Sequence, residues 1–138
     1  MAVYQLEQPL YLDERRIFAV ENIEISIASA LAVPFEGMYY CNPGDEINIT
    51  AELHADGDIV AGLTIPAIIK MPIVRHANGK PTDDEMYLNV ILNNGVMTTT
   101  GNIPRSGDWK ILTSRINNAL LEIKADWKLD TPDVTFIA

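Results

Sequence analysis

The chain predicts a mainly β protein: an antiparallel β-sandwich, immunoglobulin-like or jelly-roll-like, with one short α-helix near residues 112–124. Three observations predict it. Apolar and polar residues alternate with period 2 in segment after segment. Gly, Pro, Asn and Asp clusters separate those segments every roughly 8–12 residues, the spacing of a sandwich. A single stretch carries the 3.6-residue period of an amphipathic helix.

Residues 1–20 form the first unit, an extended N-terminal arm or the first strands of the sheet; residues 21–138 form a single β-sandwich domain. Val3, Tyr4, Leu6, Leu10, Tyr11, Leu12, Ile17, Phe18 and Val20 are apolar, no helical period links them, and Pro9 interrupts the run. So apolar an extended segment must be covered, either by pairing in its own sheet or by strand addition to a neighbouring chain. Val3, Tyr4, Leu6, Leu10, Tyr11 and Leu12 are the candidate interface residues.

Next, Ile23, Ile25 and Ile27 alternate with Glu24 and Ser26 in a one-faced strand running on towards Leu31. Met38-Tyr39-Tyr40 precedes the turn Asn42-Pro43-Gly44-Asp45, where Pro presets φ and Gly takes the left-handed position. Ile47, Ile49, Ala51 and Leu53 then alternate with Asn48, Thr50 and Glu52 up to a second turn, Ala55-Asp56-Gly57-Asp58, and the segment Ile59 to Leu63 follows. Pro66 and Pro72 flank AIIKM, which suits an edge or a crossing loop because proline donates no ladder hydrogen bond. The polar run His76 to Glu85 predicts a solvated loop, the most mobile part of the chain.

Met86 to Ile103 reads as a β-hairpin. Leu88, Val90 and Leu92 alternate with Tyr87, Asn89 and Asn93, and Asn94-Gly95 fits the two positive φ values of a type I′ turn. Across that turn Leu92 should face Met97, and Val90 should face Thr99. The helix follows Gly107-Asp108-Trp109: Thr113 or Ser114 serves as N-cap, and Ile116, Ala119, Leu120 and Ile123 fall at i, i+3, i+4 and i+7. Trp109 anchors the start of the helix onto the sheet. After Asp130-Thr131-Pro132-Asp133, Val134 and Phe136 on one face and Thr135 and Ile137 on the other make a final strand.

Net charge is −9 over 138 residues, and it is uneven: positions 1–100 hold five basic and fourteen acidic side chains, positions 101–138 five of each. That leaves no basic footprint for nucleic acid and no polybasic segment for a membrane surface. An acidic body suits basic neighbours, with association that weakens as salt rises. The N-terminus has no basic start followed by an apolar stretch, so no secretory signal is expected. No apolar run approaches the roughly 18 residues of a membrane span. A single cysteine, Cys41, excludes an internal disulfide framework.

Reactive groups are scattered. His54 ends a strand and His76 opens a polar run, neither with a partner at metal-ligand spacing. Asp56 and Asp58, and Asp83, Asp84 and Glu85, lack the spaced twelve-residue calcium loop and read as turn and solvation chemistry. No Walker loop, GxGxxG or nucleophile elbow is present. No catalytic, metal or cofactor residue is therefore assigned, and the chain reads as non-enzymatic. Tyr39, Tyr40, Tyr87, Trp109 and Trp127 raise an alternative, a carbohydrate-binding or adhesin-like recognition module that stacks sugars on aromatic faces.

The C-terminal third adds a likeness. Asn102-Ile103-Pro104-Arg105-Ser106-Gly107-Asp108-Trp109, Ser114-Arg115-Ile116-Asn117-Asn118-Ala119-Leu120 and Val134-Thr135-Phe136-Ile137 resemble, over about residues 85–138, small β-rich tail and tail-fibre proteins of tailed-bacteriophage virions. The resemblance implies a virion structural protein assembled in many copies in the bacterial host cytoplasm. Its partners would be other virion proteins and copies of itself, with no catalytic residue to carry over.

Overall fold

A computed structural model describes residues 14–29, 34–35 and 37–138. The protein is mainly β, with eleven strands and one short helix among those residues. The strands are β1 (Arg16–Ile27), β2 (Pro34–Phe35), β3 (Met38–Tyr40), β4 (Glu46–Ala55), β5 (Asp58–Ile59), β6 (Ile65–Ala77), β7 (Lys80–Asn93), β8 (Val96–Asn102), β9 (Asp108–Ile111), β10 (Trp127–Leu129) and β11 (Val134–Ile137); helix α1 (Thr113–Glu122) lies between β9 and β10. They join in one sheet in the order β10-β1-β4-β8-β7-β6-β9-β11-β3-β2, with β5 on β4.

This sheet curls into a half-barrel, where the sequence pattern led to separate antiparallel sandwich layers. It is also mixed. β1 pairs parallel with β10 (Arg16↔Trp127), and β3 pairs parallel with β11 (Phe136↔Tyr39). Parallel neighbours need a crossover, and here nearly the whole chain intervenes. Alternation marks which face of a strand is buried, but it carries no information about which strands become neighbours.

The hairpin expected over Met86–Ile103 is present. Asn94 and Gly95 have φ of 52° and 79°, and the register pairs Leu92 with Met97 and Val90 with Thr99. The polar run His76–Glu85 is a second hairpin rather than a solvated loop. β6 continues to Ala77, Asn78 and Gly79 turn with φ of 54° and 76°, and β7 begins at Lys80. The two proline positions fall within β6, which pairs with β7 apart from irregularities between Ile65 and Ile69 and between Val74 and His76, and meets β9 only from Val74 to His76. Residues Ile65–Ile73 thus have one strand neighbour among the described residues, the setting a proline tolerates. β1 crosses position 20, so Arg16–Val20 belong to the sheet and the boundary drawn there falls inside a strand.

Large apolar side chains form the core. Trp109, Phe136, Leu53, Ile73, Leu92, Ile103, Leu120 and Val90 are wholly buried, each worth about 1.5–3 kcal/mol in transfer terms. Phe18 stacks on Trp127 with ring centroids 5.5 Å apart, tying the start of β1 to β10. α1 packs on β6 and β10 through Leu120, with Ile116 and Ala119 partly buried beside it.

The helix ends differ from expectation. Leu112 is the N-cap and offers no side-chain cap; Thr113 and Ser114 both lie inside the helix. The first N–H is instead satisfied from outside, Thr113 N donating to Asp133 Oδ1 at 2.8 Å. At the other end Lys124 adopts φ 59°, and Lys124 N and Ala125 N donate to the Leu121 and Leu120 carbonyls in a Schellman closure. Ile123, the C-cap, is exposed although it continues the apolar stripe.

Candidate interaction surface

Titratable groups are dispersed over the sheet. A close cluster lies on β1 and β4, where His54 is buried between Glu21 (Nδ1 to Oε2, 3.3 Å) and Glu52 (Nε2 to Oε1, 2.9 Å). A β-bulge between Glu21 and Glu24 shapes this corner: Asn22 turns to φ 51° and donates from Nδ2 to Glu52 Oε1 at 2.7 Å. The Glu52 hydrogen bond holds the His54 pKa above its ordinary value, and the Glu21 charge adds to this against the effect of burial. Glu52 is lowered in turn, first by Asn22 and then by His54. This makes a structural ion cluster, with both imidazole nitrogens facing carboxylates.

His76 lies far along the sheet, with Nδ1 3.1 Å from the Val74 carbonyl. Cys41 is buried, and burial, helped by the Asp45 charge, pushes its thiol pKa up, away from the reactive thiolate. Asp56 sits in the β4–β5 turn at φ 54°. Asp84 pairs with Arg105, and Glu85 with Arg115 at 2.9 Å, so these acids tie β7 to the β8–β9 connection and to α1. Among the described residues no three His, Cys, Asp or Glu side chains are grouped to hold a metal ion, and no helix is long and apolar enough to cross a membrane.

Both tryptophans face inward. Trp109 is buried, with Nε1 donating to the Arg105 carbonyl at 3.0 Å and the Arg105 guanidinium 5.6 Å from its ring centre; Trp127 is buried against Phe18. Tyr39 leans on Phe136 in the core, while Tyr40 and Tyr87 are exposed on β3 and β7.

One surface brings exposed apolar groups together. A cleft of about 440 Å³ separates the chain from Leu63 to Ile69 from the chain after α1, Ile123 to Trp127. Ile68 and Ile123, on its two walls, are 59% and 46% exposed. Leu121 at the end of α1 is 52% exposed, and Ile17, on the strand paired with β10, is 56% exposed. The helical period places Ile123 on the apolar stripe, yet at the C-cap of α1 it stays exposed.

The outer edge of β10 is already covered here. Asn117 spans it with its side-chain amide, Nδ2 donating to Leu129 O at 3.0 Å and Oδ1 accepting from Leu129 N at 2.8 Å. The start of β1 is tied to Asp126 and Trp127, which line the same cleft. Arg16 N donates to Asp126 O at 2.9 Å, and Arg15 Nη1 reaches the Asn117 and Trp127 carbonyls. The candidate interface residues Val3, Tyr4, Leu6, Leu10, Tyr11 and Leu12 themselves lie outside the described residues. Comparison with protein-family models, with curated proteins and with solved structures finds no match to this chain.

Proposed function

We propose that this chain is a non-enzymatic structural component of a multi-chain assembly, of the tailed-bacteriophage tail kind that its C-terminal third resembles. Other virion proteins and further copies of itself are its partners in this reading. The single observation that carries it is the apolar cleft between Leu63–Ile69 and Ile123–Trp127, where Asp126 accepts the Arg16 N–H at the start of β1. Exposed apolar surface gathered in one place marks interaction sites, since scattered single side chains need no partner. Its occupant in this proposal is the apolar arm, Val3 to Leu12, of a neighbouring copy. Several hundred square ångströms buried there at ~25 cal/mol per Å² supply several kcal/mol before ordering costs. The charge of −9 suits basic neighbours among the remaining virion proteins.

Deleting residues 1–12 tests it, with folding followed by circular dichroism and association by analytical ultracentrifugation. The truncated chain should fold as before and no longer associate, and Ile68→Glu with Ile123→Glu should reproduce the loss in the full chain. A truncated chain that still associates overturns the proposal. So does one that fails to fold, because the arm is then a part of the core.

A further inference from the structure

The curled sheet does not fill its own concave side. A second cavity, of about 210 Å³, lies between β1, β4, β8, β7 and β6 on one flank and β3, β9, β11 and α1 on the other. Val20, Ile25, Ile49, Met97, Ile116 and Val134 present apolar side chains to it. Ile23 also lines it and is 42% exposed, so the cavity communicates with solvent beside the β1 bulge.

Three polar side chains of its lining are tied to internal partners. Thr99 Oγ1 donates to the Asn89 carbonyl at 2.6 Å, Thr113 Oγ1 to the Thr131 carbonyl at 2.6 Å, and Asp133 Oδ1 accepts the Thr113 N–H at 2.8 Å. Water in such a space finds too few partners to hold it, whereas an apolar guest gives up nothing by entering. Cavities of about 150 Å³ lined by aliphatic and aromatic side chains stay dry and take up benzene or xenon.

We infer that the half-barrel interior is a binding site for a small, neutral, apolar molecule, a single aromatic ring or a short alkyl chain. The volume sets the size, and the Thr99 and Thr113 hydroxyls, already donated to carbonyls of the protein, offer little to a polar guest. Charge sets the rest. The Asp133 carboxylate lies in the lining and the protein carries −9, so an anionic head group on the same alkyl chain is rejected. This site is separate from the cleft at Ile68 and Ile123 and stands whether or not the assembly proposal does.

The test uses the full chain with benzene, hexanol and hexanoate as probes, followed by methyl NMR and thermal unfolding. Benzene and hexanol should produce saturable shifts at the Val20, Ile49, Ile116 and Val134 methyls and raise the Tm, and hexanoate should do neither. Val20→Phe fills the space; it should lose the benzene response and melt higher than the parent. Should that variant fail to fold, Ala51→Val removes less of the volume and should weaken the response. No methyl shift with either neutral probe overturns the inference. Equal binding of hexanoate overturns the charge argument. Binding that appears only after residues 1–12 are deleted also overturns it, because the cavity is then filled by the protein's own arm.

Discussion

Two hairpins of this sheet turn on the same dipeptide. Asn78-Gly79 joins β6 to β7, Asn94-Gly95 joins β7 to β8, and the φ values agree to within a few degrees. Their surroundings do not agree. At the second turn Gly95 N donates to the Leu63 carbonyl and the Gly95 carbonyl accepts from Leu53 N, both at 2.8 Å. A Cβ there would stand 2.6 Å from the Val60 carbonyl oxygen. At the first turn a Cβ on Gly79 would meet nothing within 4 Å. Identical local chemistry therefore makes one turn a packed junction of three strands and the other a projecting tip. The dipeptide sets the shape of a turn, and the flanking side chains decide whether the rest of the fold leans on it.

Substitutions separate the two most sharply in the core beneath the packed turn. Leu92, next to the Asn94-Gly95 turn and wholly buried, should cost about 2–5 kcal/mol when replaced by Ala, read as a fall in the urea midpoint. The glycines come next. Gly95→Ala combines a left-handed φ with a clash against backbone and should cost about 2–3 kcal/mol, whereas Gly79→Ala meets only the φ penalty and should cost about 1 kcal/mol. Equal losses from the two glycine variants would show that backbone conformation alone matters and that the contacts at the β8 turn carry no weight.

The smallest effect concerns pH, at the His54 corner of β4 whose next residue but one, Glu52, pairs with Val96 just after the packed turn. His54 is raised, so its contribution is complete below its ordinary value of 6.5 and is lost as pH climbs through the folded-state value. Glu52 is lowered, so its contribution is complete above 4.5 and is lost as pH falls through its folded-state value. Both are intact between those limits. The Tm advantage of the parent over His54→Gln should accordingly be greatest near pH 5.5 and shrink towards pH 8–9. A gap that stays constant across that range would mean that the imidazole serves only to fill space.

The comparison also explains what the sequence made legible. Leu88, Val90 and Leu92 alternate cleanly, so the β7–β8 hairpin and its register could be read directly. Lys80 to Glu85 is polar on both faces, and the same Asn-Gly signal in front of it went unused because no buried face announced a strand. That strand is held by partners that local pattern does not contain: Thr82 Oγ1 donates to the Arg75 carbonyl at 2.7 Å, and Asp84 and Glu85 pair with Arg105 and Arg115. The helix was legible from its period. Its N-terminal satisfaction by Asp133, twenty positions after Thr113, was not. Likewise the helical period reads Ile123 as a core residue, and its exposure follows from where the end of α1 comes to lie.

The parallel pairs have a consequence in time. Arg16 meets Trp127 and Tyr39 meets Phe136, so the outer thirds of the sheet are sealed by residues separated by most of the chain. Closing loops that long comes before any contact rewards it, and topologies of this kind fold slowly. A ribosome adding about 5–20 residues per second would release β1 and β3 several seconds before β10 and β11 exist. During synthesis the β6–β7–β8 meander can form from neighbours and take β4 onto β8, while the exposed flank of β1 waits for a strand still inside the exit tunnel. Nascent chains of this protein should accordingly lean on holding chaperones until their last residues emerge.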